Sequence, residues 1–310
     1  MTAAACSDEE FIGLFTQFGA SQTARELGTT ERNVYKRRAS IEAKTGRPIF
    51  APTTAPTDNH PERQCMEVEN GTILVASDAH YWPCIVSQAH KAFLKACQTL
   101  KPKIVVMNGD VFDGASVSRH APIGWEDRPS VSEEIEACRE RLEEIRKSAK
   151  GARFVWTLGN HDARFESRLA SVAPEFANVS GMHLKDNFPE WIPCWSLWVN
   201  DEVVIKHRFK GGIHATHNNT VTSGKTMVTG HLHSLKVTPY SDYNGTRWGV
   251  DTGTLADPYG PQFRDYMEDS PRNWRSGFAV LTFHQGRLLW PEVVHVNEHG
   301  AEFRGRVFDV

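Results

Sequence analysis

An α/β domain preceded by a small three-helix unit is the fold class that this chain of 310 residues predicts. Three observations carry that reading. From Gly71 onward, short apolar runs of strand length alternate with longer helical patterns, the rhythm of a sheet flanked by helices. Residues 7 to 46 instead hold three capped helical patterns. Between the two, residues 48–70 are rich in proline and threonine, lack periodicity and read as an extended linker. The expected division is therefore 1–47, 48–70 and 71–310.

The helical unit is legible from its punctuation. Ser7 and Glu10 form a capping box that satisfies free amides at a helix start. Phe11, Ile12, Leu14, Phe15 and Phe18 supply an apolar face, and Gly19 ends it. Ser21 is expected to cap a second helix reaching Leu27, with Gly28 as its stop. Thr30 caps a third, from Glu31 to about Lys44, followed by Gly46. Ala24, Gly28 and Val34 stand where two helices joined by a tight turn need a small, a left-handed and an apolar residue. The third helix carries Arg32, Lys36, Arg37, Arg38 and Lys44 against Glu31 and Glu42, a cationic face suited to phosphates. This unit resembles a helix-turn-helix DNA-binding module of phage and bacterial proteins. Arg37 departs from that pattern, which usually has an apolar residue there. The resemblance implies DNA as a partner of residues 1–47. The alternative for a three-helix unit is protein contact, including homo-oligomerisation.

In the larger part, the strands expected are 72–76, 103–107, 153–157, 201–206, 227–229 and 278–283. Helical patterns cover 87–100, 131–150 and the region near 218–223. The net charge of −3 confines any polyanion-binding surface to a local patch. The six cysteines include no Cys-x-x-Cys pair, which removes zinc-finger and thioredoxin readings. The first residues lack the basic and apolar segments of a secretory leader, and no run has the length of a membrane span. The expectation is a cytoplasmic protein with free thiols and no membrane partner.

Short polar sites follow the apolar runs: Asp78-Ala79-His80, Gly109-Asp110-Val111-Phe112-Asp113, Gly159-Asn160-His161-Asp162, His207 and Gly230-His231-Leu232-His233. In an α/β fold such positions gather at the carboxyl edge of the sheet. Carboxylate, imidazole and amide oxygen together suit a borderline or hard divalent ion. Taken in order, these sites resemble the calcineurin-like metallophosphoesterase family over roughly residues 71 to 235.

The resemblance implies an α/β/β/α sandwich and a two-metal phosphoesterase. Asp78, His80 and His233 would bind the first ion, Asn160, His207 and His231 the second, and Asp110 both. Manganese is the expected ion, with iron, zinc, magnesium or nickel as alternatives. Ions about 3.5–4 Å apart can share a hydroxide that attacks phosphorus. His161 is then a general acid or hydrogen-bond donor, and Asp162 is expected to orient it. Asp113 is expected to support a histidine instead of binding metal. The family usually has His-Gly at the fourth site, where this chain has His207-Arg208, so His214 and His217 are the alternatives to His207. Arg119 and His120 stand near enough in sequence to meet substrate, and Tyr81 and Trp82 to wall the cleft.

Adding the two units gives the functional expectation: a phosphodiesterase or nuclease whose substrate is a phosphate ester of nucleic acid. The alternative is a phosphomonoesterase or cyclic-nucleotide phosphodiesterase with the three-helix unit used for protein contacts.

Overall fold

The computed structural model describes residues 6–47, 49, 62–120, 125, 127–267 and 269–310. The chain divides into two compact units, residues 1–60 and 61–310.

In the first unit, α1 (Asp8–Glu26) begins with the Ser7–Glu10 capping box and is broken at Gly19, whose φ is 72°. The expected stop is therefore real, and the two helical pieces run on either side of it. Ser21 does not cap the second piece; its hydroxyl donates to Glu31 Oε1 at 2.7 Å. Thr30 caps α2 (Glu31–Thr45), and Gly46 closes it in the left-handed conformation. Phe11, Phe15, Ala20, Ala24, Val34, Ile41 and Ile49 form the core. Arg37 fits because its guanidinium lies over the Phe11 ring at 4.8 Å and donates to the Cys6 carbonyl at 2.6 Å. A planar cation thus covers the core edge where an apolar side chain was expected.

The second unit has two sheets. One runs in the order β15 (Arg306–Phe308), β14 (Gly300–Phe303), β13 (Glu292–Asn297), β11 (Ser276–His284), β2 (Gly71–Ala76), β3 (Ile104–Met107), β4 (Arg153–Thr157) and β5 (Ile192–Cys194), with β12 (Arg287–Leu288) paired to β11. Strands β2 to β5 are parallel. The other runs β1 (Arg63–Met66), β6 (Ser196–Val199), β7 (Val203–Ile205), β8 (Thr226–Thr229), β10 (Gly245–Asp251) and β9 (Lys236–Asp242).

Both faces of β2 are apolar, so its side chains alternate between two cores. Ile73 and Val75 join Val106, Leu197, Ile205, Val228 and Val250 between the sheets. Leu74 and Ala76 face the core built with α3 (Gln88–Leu100) and α4 (Val131–Ser148), through residues such as Phe93, Cys97, Leu142 and Ile145. On the far side α6 (Ala215–Ser223) lies against β8, β9 and β10. The result is the α/β/β/α sandwich.

The expected linker 48–70 is corrected at its end: Arg63–Met66 form β1, paired in parallel with β6. Met66 and Val68 are buried while Cys65 and Glu67 are exposed, an alternation that the upstream prolines obscured. Most of the rest of that segment, residues 48 and 50–61, lies outside the described residues. Sequence reading also missed α5 (Asp162–Val172), whose short pattern begins inside a polar site.

Candidate metal centre

The site forms where parallel strands end. Asp78 and His80 follow β2, Asp110 follows β3, Asn160 and His161 follow β4, His207 follows β7, and His231 and His233 follow β8. Neighbouring loops are laced by backbone bonds: Asp78 N–H to Gly109 O at 2.9 Å, His80 N–H to Asp110 O at 2.9 Å, Gly230 N–H to His207 O at 2.9 Å. Such sharp exits twist the backbone. Asp78, His80, Asp110, His231 and His233 all have positive φ, between 39° and 71°. Left-handed backbone is costly for side-chain-bearing residues and clusters at functional sites. Gly159 and Gly230 contribute space. A Cβ on Gly159 would stand 2.1 Å from Asp110 Oδ1, and one on Gly230 2.5 Å from Asp78 Oδ2.

Three overlapping donor clusters result, each with ligand atoms within 4.8 Å of one another: Asp78, His80 and His233; Asp110, His207 and His231; His80, Asp110 and His161. Asp78 Oδ1 is 3.0 Å from His233 Nε2, and Asp110 Oδ2 is 3.0 Å from His207 Nε2. Asp78, His80, Asp110, His207 and His233 are buried. Among the described residues, Asn160 Oδ1 is closed off from solvent with no hydrogen-bond partner. An orphaned amide oxygen beside a cluster of carboxylates and imidazoles fits a divalent cation.

Protonation supports the same reading. Burial works against charge on Asp78, yet His233 and His207 hold its pKa down at about 2. Burial likewise opposes charge on His207, but Asp110 and Asp78 prevail and push it up to about 10. Two buried carboxylates demand positive charge, and an incoming metal ion would compete with protons to supply it.

The histidine tautomers follow from their partners. His207 Nδ1 donates to the Asn108 carbonyl at 2.8 Å. His161 Nδ1 donates to the Asp113 carbonyl and to Asp113 Oδ1, both at 3.0 Å. His80 Nδ1 is 2.7 Å from the same carboxylate oxygen. Asp113 thus orients two rings at once.

The expectation that Asp162 orients His161 is not met. The Asp162 carboxylate accepts from the amides of Asp110, Val111, Phe112 and Gly159 and from Trp156 Nε1, at 2.7–3.0 Å. It ties the loops after β3 and β4 together, and Asp113 takes the orienting role. Burial and the neighbouring charge of Asp110 raise Asp162 to about 6, against the pull of those five donors.

The alternatives to His207 stand apart from these clusters. His214 precedes α6, and the His217 ring packs against Tyr240 at 5.5 Å. Arg119 and His120 are exposed, and among the described residues His120 belongs to no donor cluster. Tyr81 is buried and its hydroxyl bonds His90 Nδ1 at 2.9 Å, so it is a core residue.

Two contributors escaped sequence reading. Arg164, in α5, places Nη2 3.0 Å from His161 Nε2 and Nη1 3.0 Å from the Asp113 carbonyl. Asp251 Oδ1 accepts the amides of Ser234, Leu235 and Gly253 at 3.0–3.3 Å, pinning the turn behind His233. Asp251-Thr252-Gly253 after the apolar end of a strand is the same pattern as the other sites and could have been flagged.

A family model described as calcineurin-like phosphoesterase matches residues 71–247. The Gene 54 protein of Mycobacterium phage L5 is 27% identical over 244 residues, 71% of this chain and 92% of that protein. Among solved structures, zinc-complexed Vps29 of Entamoeba histolytica matches with a TM-score of 0.42 and 12% identity, over 74% of this chain and 96% of that one. YfcE, a phosphoesterase from E. coli, matches with a TM-score of 0.35 and 17% identity, over 71% of this chain and 98% of that one.

Proposed function

The chain belongs to the calcineurin-like phosphoesterase family, and on that premise we propose that it is a two-metal phosphodiesterase acting on nucleic acid. Membership makes it a phosphoester hydrolase of a divalent-metal-binding family. In our reading Asp78, His80 and His233 hold one ion, Asn160, His207 and His231 hold the other, and Asp110 serves both. The observation that carries this is Asp110, which falls in two donor clusters, one with His207 and His231 and one with His80. Bound divalent ions supply an activated water and offset charge on the phosphoryl oxygens.

The chain's own groups do the rest. His161, fixed at Nδ1 by Asp113, protonates or hydrogen-bonds the leaving oxygen through Nε2. Arg164 binds a phosphoryl oxygen with planar, permanently charged donors. Among the described residues it forms no ion pair with a carboxylate, so its charge is available to an anion. Asp162 keeps the loops that carry Asp110 and Asn160 in register.

The nucleic-acid part of the proposal is supported by the first unit. Arg32 and Lys36 are exposed on α2 and make no ion pair among the described residues. Arg37, Arg38 and Lys44 are paired internally with Asp8 or Glu42. A cationic face of this kind attracts a phosphate backbone.

The deciding experiment is a substrate panel with manganese, zinc, iron, nickel and magnesium. It compares bis-p-nitrophenyl phosphate, p-nitrophenyl phosphate, cyclic nucleotides, single- and double-stranded DNA, and RNA. We expect metal-dependent cleavage of the diester and of nucleic acid. Diester turnover that leaves every nucleic acid intact would remove the nuclease reading, and preference for the monoester would make it a phosphomonoesterase. Deleting residues 1–47 should abolish retention on DNA while small-diester turnover persists.

A further inference from the structure

Among the described residues, one guanidinium near the metal centre has no anion of its own. Arg272 Nη1 is shut off from solvent and has no hydrogen-bond partner among them. The group lies over two aromatic rings, 4.9 Å from the centre of Tyr259 and 5.9 Å from that of Trp274. The Trp274 ring in turn lies 4.4 Å from the His233 ring. This arrangement is fixed to the site by the backbone, because Arg275 N–H donates to the His233 carbonyl at 2.7 Å. Phe263 fills the gap behind it, 5.0 Å from both His80 and Trp274. Tyr259 is 80% exposed, so much of its ring remains open to solvent.

Each property points to the same ligand chemistry. A solvent-exposed aromatic face is a poor surface to leave in water and a good one on which to stack a flat heterocycle. A guanidinium lying over a ring keeps its N–H donors at its own edge, and a base edge offers carbonyl and ring-nitrogen acceptors. We propose that Tyr259 and Arg272 form a nucleobase subsite: the base of the nucleotide whose phosphate occupies the metal centre stacks on Tyr259 and accepts from Arg272. The inference rests on the metal centre being the place where phosphate binds.

The test uses the full chain loaded with manganese and isothermal titration calorimetry. The ligands are inorganic phosphate, 2-deoxyribose 5-phosphate and thymidine 5′-monophosphate. The nucleotide should bind about tenfold more tightly than the base-free sugar phosphate. Y259A should erase that advantage, Y259F should keep it, and R272A should reduce it without recovery in R272K. Affinity for inorganic phosphate should stay unchanged in every variant, which reports an intact fold and centre. Equal binding of nucleotide and sugar phosphate by the native protein, or an advantage that survives Y259A, would overturn the subsite while the phosphoesterase reading stands. Absence of manganese-dependent phosphate binding would overturn both.

Discussion

Arg164 Nη2 lies 3.0 Å from His161 Nε2, and since a guanidinium can only donate, the imidazole nitrogen must be the acceptor. In this arrangement His161 presents its Nε2 lone pair to an arginine. A phosphoryl group competes for that arginine, and the imidazole is then free to take up a proton. Burial lowers the His161 pKa, yet hydrogen bonding to Asp113 and the charge of Asp110 raise it overall. We predict that R164A lowers kcat/KM for a diester by about 10²-fold, the scale of losing one preorganised donor. R164K should recover only part. H161A should lower kcat by roughly 10²- to 10⁴-fold with metal content unchanged. Steady-state kinetics with parallel metal analysis separates the two.

D162N should harm the fold before it harms the chemistry. Five N–H donors converge on this carboxylate, and an asparagine must turn an N–H₂ toward some of them. The expected loss is about 3 kcal/mol, the low end for breaking a buried charged network. Urea denaturation in the presence of chelator would measure it without metal stabilisation. A neutral result would mean that the loops do not depend on this anchor.

Glu134 gives a pH signature away from the metal ligands. It lies beneath the loop holding Asp113 and accepts the Ala115 amide at 3.1 Å. Burial pushes its pKa up to about 8 from an ordinary 4.5. Between those values the folded chain binds a proton that the unfolded chain has released, so this group makes stability fall as pH rises. E134Q keeps the acceptor and removes the titration. It should be more stable than the native chain at pH 8, by about 2 kcal/mol, with little difference at pH 4.5. Tm measured across that range would show converging curves at low pH; parallel curves would contradict the account.

G159A tests the close approach in the centre. The added methyl would meet both Asp110 Oδ1 and the Asp110 backbone nitrogen, and Oδ1 is itself held by the His161 amide, so the loops must part. We expect a loss of about 1–3 kcal/mol from overpacking. Metal stoichiometry should drop as well, since Asp110 is the residue displaced. D110N should produce the second effect without the first.

Much of the candidate centre was legible because its residues end strands, and strand ends are marked by a change from apolar to polar residues. His207 was found this way despite the missing glycine, and the structure puts it 3.0 Å from Asp110. What the sequence hid were relations across the fold. Asp162 neighbours His161 in the chain, which suggested a pair, but the turn into α5 sends its carboxylate inward. Asp113 supports His80 and His161 from a different loop, and no local pattern announces that. Arg164 reads as an ordinary helix cation until α5 is placed. β1 escaped because a four-residue edge strand beside prolines carries too short an alternation.

The grip on these loops comes from outside the centre. Asp162 holds the loops after β3 and β4, Asp251 the turn after His233, and Thr254 Oγ1 the Asp78 carbonyl at 2.6 Å. Each of these anchors is a bond between protein groups, so chelation is expected to empty the cradle without melting it. One batch of protein could then be stripped and recharged with manganese, zinc or iron in turn. Differences in rate between the recharged samples would report the ion's own chemistry, free of any refolding history.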